Sequence, residues 1–144
     1  MADPVRNSIT INASAQRVLE VVSDLENTDR WANEAKSADV VARDDTGRPQ
    51  RIRVVLGAIG FTDTSVYDVT YGDDSITLTC VEGQLVKEST IAYTAREQGD
   101  GTTHLDMSST MEVTVPVPKW GLKRAMHSSA DKNLASIKKD AEGM

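Results

Sequence analysis

Apolar and polar residues alternate with a period of two along most of this chain, and the period lengthens to nearly four in its last stretch. Leu122, Met126, Ala130, Leu134, Ile137 and Ala141 recur at steps of four, four, four, three and four residues. That spacing puts them on one face of a helix. Lys123, Arg124, Asp131, Lys132, Lys138, Lys139 and Asp140 lie mostly off the stripe, and the lysines near the end complement the negative pole of the helix dipole. Pro116 and Pro118 mark where the helix begins, because proline lacks an amide donor and fixes its own backbone angle.

Upstream, the alternation predicts seven strands. The first covers residues 8–12 around Ile9 and Ile11, and the second carries Ala38, Val40 and Ala42. Residues 50–56, 61–71, 75–81, 85–95 and 102–115 supply the other five. Between them lie Asp44-Asp45-Thr46-Gly47, residues 57–60, Tyr71-Gly72-Asp73-Asp74, Glu82-Gly83-Gln84 and Gln98-Gly99-Asp100-Gly101. These segments hold glycine or aspartate where a chain turns tightly, so most connections read as hairpins. After the first strand, Ser14 offers a helix cap ahead of Val18, Leu19, Val21 and Val22, and Asp24 opens a second short helical segment holding Leu25 and Trp31.

Period two also assigns faces. Ile52, Val54 and Leu56 oppose Arg51 and Arg53, and Ile76, Leu78 and Cys80 oppose Ser75, Thr77 and Thr79. On the last strand Leu105, Met107, Ser109, Met111, Val113 and Val115 form an apolar face with one hydroxyl in its middle. On the sixth, Leu85, Ile91 and Tyr93 share a face with Lys87 and Ser89, which would bring polar groups inward near one end. The fourth strand sets Ser65, Tyr67, Val69 and Tyr71 against Val66, Asp68 and Thr70. We read the tyrosine face as the inner one.

The order is strand, two short helices, six strands and a long helix, an α+β arrangement with helices gathered on one face of an antiparallel sheet. Ile9-Thr10-Ile11-Asn12-Ala13-Ser14-Ala15, Val18 through Asp24, Arg30-Trp31 and the acidic hairpin Asp44-Asp45-Thr46-Gly47-Arg48-Pro49 resemble the helix-grip superfamily of START-like and birch-pollen-allergen-like proteins. The resemblance is strongest to its bacterial polyketide cyclase/dehydrase-like branch. Glu82-Gly83-Gln84-Leu85 and the run from Met111 to Pro118 are similar to small actinobacterial START-like proteins of unassigned activity. The resemblance spans nearly the whole chain, read as one ligand-binding domain over residues 1–144. It implies a seven-stranded curved antiparallel sheet, two short helices after the first strand, and a long C-terminal helix over the concave face. It also implies a cavity between that sheet and that helix.

A length of 144 residues at 39% hydrophobic suits one core. The net charge of −6 opposes a nucleic-acid role, which needs a basic face. No apolar run approaches a membrane span and no signal-peptide core opens the chain. The single cysteine, Cys80, offers neither an internal disulfide nor a metal-ligand spacing. We therefore expect a cytoplasmic protein without metal or cofactor that takes a small hydrophobic ligand, with transient membrane contact left open.

The candidate ligand-binding residues are Leu56, Tyr67, Leu78, Tyr93, Met107, Ser109, Met111, Trp120, Met126 and Ala130. For each apolar one, taken singly, the core reading outweighs ligand contact. Methionines tolerate variable ligand shapes but also fill irregular gaps; Trp31 and Trp120 suit a cavity mouth or an anchor against the sheet. The chain has one phenylalanine, which favours unfilled volume beneath the helix. No catalytic residue is assigned. His104 and His127 fall on polar faces, the paired acids sit in turns, Ser89 and Ser109 lack a histidine and acid partnership, and no inward acid/base set carries over from the cyclases. The leading reading is a carrier or sensor of a lipid, isoprenoid or polyketide-like molecule. The alternatives are a cyclase/dehydrase-type enzyme using Tyr67, Tyr93 or a buried acid, and a protein-interaction module with a filled core.

Overall fold

The computed structural model describes residues 4–30, 35–58 and 61–143. Strand β1 (Val5–Ile11) leads into helix α1 (Ala15–Ser23) and a 3-10 segment, Leu25–Arg30. Strands β2 (Ala35–Arg43), β3 (Pro49–Ala58), β4 (Phe61–Tyr71), β5 (Ser75–Glu82), β6 (Val86–Glu97) and β7 (Thr103–Val113) follow, and helix α2 (Lys119–Glu142) ends the chain. The strands form one antiparallel sheet in the order β1-β7-β6-β5-β4-β3-β2. This is the α+β helix-grip arrangement, with the two helical segments after the first strand and the long helix last.

Local chemistry explains the punctuation. Asp44 Oδ1 accepts the amides of Thr46 at 2.9 Å and Arg48 at 3.0 Å, and Gly47 takes a φ of +89° that a side chain would disfavour. Ser14 caps α1 by accepting the Arg17 amide at 3.1 Å. Edge strand β2 carries three register irregularities and exposes Val41. Bulges of this kind discourage pairing with another chain.

The inner face follows the alternation on β3, β4, β5 and β7. Ile52, Val54, Ser65, Tyr67, Val69, Ile76, Leu78, Leu105, Met107 and Ser109 are buried, so the tyrosine face of β4 does point inward. Strand β6 departs from expectation. It begins at Val86, not Leu85, and its register against β7 shifts between Val86 and Glu88. One extra residue reverses which side faces the core. Val86 and Ser89 are therefore both buried, while Lys87 is exposed and does not bring its charge inside.

The core cluster joins Ile11, Val18, Val22, Leu105, Leu134 and Ile137 with the inner sheet residues. Helix α2 packs chiefly on β1 and α1, with a smaller contact on β7. The last helix is thus seated toward one edge of the sheet.

Candidate functional site

The floor of the site is the inner face of β4 to β7. Tyr67 stands opposite Cys80 on β5, and its hydroxyl donates to Ser89 Oγ at 3.2 Å, both side chains being buried. On the neighbouring strands Tyr93 faces Met107 and Ile91 faces Ser109. Hydroxyl groups therefore form a short polar rung in a surface otherwise made by Leu78, Ile91 and Met107. Burial pushes the Tyr93 phenol well above its ordinary range, so it stays neutral at pH 7. Burial likewise raises the Cys80 thiol, with the Glu82 backbone opposing, and a raised thiol is not a nucleophile.

At the far end of β4 lies a buried carboxylate. Asp63, only 7% exposed, accepts the amides of Leu85 and Val86 at 3.0 Å each on one oxygen and that of Gln84 at 3.3 Å on the other. Burial alone would push its pKa up, but the amides of Val86, Leu85 and Gln84 and the Ser65 hydroxyl outweigh it and hold the group below the ordinary carboxylate value. An ionised carboxylate with both oxygens engaged clamps the β5-β6 turn. Gly83 belongs to that clamp, since a Cβ there would meet the Val86 carbonyl at 2.9 Å and Asp63 Oδ2 at 3.3 Å. The clamped turn in turn receives the Thr114 amide on the Leu85 carbonyl at 2.8 Å, which fixes the segment leading into α2.

The roof is α2, and its two halves differ. From Ser129 onward it buries Ser129, Ala130, Asn133, Leu134, Ile137 and Ala141. Polar ties reinforce that half: Asn7 Nδ2 donates to Asp131 Oδ1 at 2.7 Å, the Asn12 amide to Glu142 Oε2 at 2.7 Å, and Lys138 Nζ to the Thr10 carbonyl at 3.1 Å. Residues 119–128 contain no buried side chain. Leu122 and Met126 on its inner side, and Met111 at the end of β7, are half-buried. Among the described residues, none of the three is packed against the core cluster. A methyl group added at Gly121 would meet nothing within 4 Å. The first turns of α2 are thus its sparsely packed end.

Of the ten candidate residues, Tyr67, Leu78, Tyr93, Met107 and Ser109 share the inner sheet face, and Ala130 is buried on α2 above it. Met111 and Met126 are half-buried and outside the core cluster. Trp120 is 71% exposed on the outer side of α2, apart from the others. The side chain of Leu56 lies outside the described residues, as does Trp31. His104 pairs with Asp106 at 3.2 Å on the outer face of β7, and His127 is exposed. No group of three His, Cys, Asp or Glu residues that could hold a metal occurs among the described residues.

Sequence reasoning missed Asp63, Ser129 and Asn133, all buried, whereas Ser65 lies inward with the tyrosine face on which alternation placed it. Asp63 shares the period of that face but lies in the polar run Thr62-Asp63-Thr64-Ser65, where no apolar residue marks the inner side. Ser129 and Asn133 flank the apolar stripe of α2 and widen its buried face.

Residues 4–142 match the family described as polyketide cyclase / dehydrase and lipid transport. No curated protein matches the chain. Among solved structures, a START superfamily protein from Mycobacterium smegmatis is similar at 22% identity, covering 98% of each chain with a TM-score of 0.90. A protein from Thermus thermophilus shares 21% identity over 97% of each chain, with a TM-score of 0.84. Zhui aromatase/cyclase from a Streptomyces species shares 14% identity over 99% of this chain and 94% of that one, at a TM-score of 0.82. Likeness at these identities establishes the shared fold.

Proposed function

The chain belongs to the polyketide cyclase/dehydrase and lipid transport family, and we propose that it binds a small hydrophobic molecule between the sheet and α2, as a carrier or sensor. The observation that carries this reading is that Met111, Leu122 and Met126, apolar side chains at the start of α2 and the end of β7, are half-buried and do not join the core. A ligand there would complete the burial those side chains lack. Removing apolar surface from water supplies roughly 25 cal/mol per Å², and the Tyr67-Ser89 rung with Ser109 suits a ligand carrying a hydroxyl or carbonyl group. Lipid, isoprenoid and polyketide-like molecules all fit that description. In this reading the protein works in the cytoplasm, and the ligand enters past the first turns of α2.

The test is titration with a polarity-sensitive apolar dye, together with native mass spectrometry and organic extraction of freshly purified protein. Met111→Trp and Met126→Trp are expected to abolish dye binding while the circular dichroism spectrum is retained. Unchanged binding in both variants would overturn the site.

One observation favours a second reading, ring closure or water loss. Tyr67 and Tyr93 place phenolic groups in an apolar interior, as a proton donor would require, and Zhui aromatase/cyclase shares the fold. Turnover of a poly-β-keto substrate, lost in Tyr67→Phe or Tyr93→Phe, would establish it.

A further inference from the structure

Along residues 119–128 exposure runs in pairs. Lys119, Trp120, Lys123, Arg124, His127 and Ser128 are exposed, while Gly121, Leu122, Ala125 and Met126 are half-buried. The first two turns of α2 thus have an inner side toward the sheet and an outer side on which Trp120, Lys123, Arg124 and His127 stand at helical spacing. Trp120, at 71%, exceeds Val41 at 46% and Val81 at 49% in exposure. The charge on this segment is equally unusual. It holds three of the chain's sixteen lysines and arginines and none of its twenty-two acids, so the remainder of the chain carries −9 against an overall −6.

We infer that the outer face of the first two turns of α2 is a docking surface for an anionic lipid bilayer. An indole combines an apolar body with a polar N–H and settles at the headgroup level. Lysine and arginine around it are drawn to anionic headgroups, and the acidic remainder of the chain is turned away by the same field. A bilayer fits this patch better than an acidic protein does. Two helical turns, about 11 Å long on a helix about 10 Å wide, present a face on the order of 100 Å², well short of the roughly 800 Å² per partner of a specific protein interface, whereas a bilayer accepts one inserted ring and a diffuse cluster of cations. The surface lies on the opposite side of these turns from half-buried Leu122 and Met126, so docking would lay the sparsely packed part of α2 on the lipid.

The docking face is distinct from the interior, and the test keeps the two apart by using the full chain stripped of any extracted ligand. Sedimentation with sucrose-loaded vesicles at low salt is expected to carry the protein down with equal phosphatidylcholine and phosphatidylglycerol, and to leave it in solution with phosphatidylcholine alone. Its tryptophan emission should shift to the blue on the mixed vesicles. Lys123→Glu combined with Arg124→Glu should weaken association by roughly tenfold or more. Trp120→Ala should weaken it by about tenfold and remove the blue shift. Both variants should keep the wild-type melting temperature and bind the apolar dye. Failure to sediment with anionic vesicles overturns the docking surface, as does sedimentation indifferent to both variants. So does equal association with soluble polyglutamate without a blue shift, which would assign the patch to acidic proteins. None of these outcomes alters the dye result on which ligand binding stands.

Discussion

The two halves of α2 are one continuous helix with opposite relations to the rest of the protein. The second half is driven into the fold: Ala130, Leu134, Ile137 and Ala141 are each at most 3% exposed, and its polar groups reach Asn7 and Thr10 on β1 and Asn12 just after it. The first half, residues 119–128, buries no side chain, although Leu122 and Met126 continue the same apolar stripe. Amphipathic spacing alone therefore does not tell whether a stripe packs. What differs is the partner beneath it: the second half is tied to β1 at Asn7 and Thr10 and to α1 at Arg17, which donates to the Asp140 carbonyl, whereas Leu122 and Met126 do not join the core cluster.

The largest effect should separate the halves directly. Leu134→Ala is expected to cost about 3 kcal/mol in urea denaturation, because it leaves a cavity in a close-packed site. Leu122→Ala should cost under about 1 kcal/mol. Equal losses would mean that the first half is as firmly packed as the second.

Asp63 tests what holds the segment leading into α2. Asp63→Asn should destabilise the protein by about 2 kcal/mol, since the amide nitrogen cannot accept from backbone donors that the carboxylate now satisfies. The carboxyl is held below its ordinary value in the fold. Its stabilising contribution is therefore complete above about pH 4, near the unfolded value, and is lost as pH falls through the lowered folded value. Urea melts from pH 7 down to pH 2 should show a weaker acid dependence in Asp63→Asn than in wild type. Parallel curves would mean that the clamp makes no ionic contribution.

The smallest effect has the opposite sign. Gly121→Ala should stabilise by about 0.5–1 kcal/mol, because the added methyl meets nothing within 4 Å and the helix loses a flexible position. If ligand passes under these turns, stopped-flow release of the apolar dye should slow in the same variant. A destabilised Gly121→Ala protein would show that the space beneath the first turn is filled.

Most of the fold was legible in the sequence because its signals are local. The step from period two to nearly four, the Pro116-Pro118 break and the turn chemistry at Asp44 and Gly99 each act within a few residues. Strand faces followed wherever alternation was unbroken, as on β3, β5 and β7. On β6 the bulge near Lys87 reversed them only at the start of the strand, where Val86 is buried in place of Lys87, while Ser89 and Tyr93 face inward as the alternation requires. The inner site was half legible. Tyr67, Leu78, Tyr93, Met107 and Ser109 announced themselves by period, whereas Asp63 looked like one polar residue among several until the amides of residues 84–86 were seen around it.

The sequence by itself determined the order of elements, the apolar stripe of α2 and the inward tyrosine face of β4, all consequences of side-chain periodicity and turn residues. Only the tertiary structure decided where that stripe finds a partner, why Trp120 faces outward among cations and that Asp63 clamps a distant turn. Those outcomes depend on residues far apart in the chain meeting in space, and spacing along one segment carries no record of such meetings.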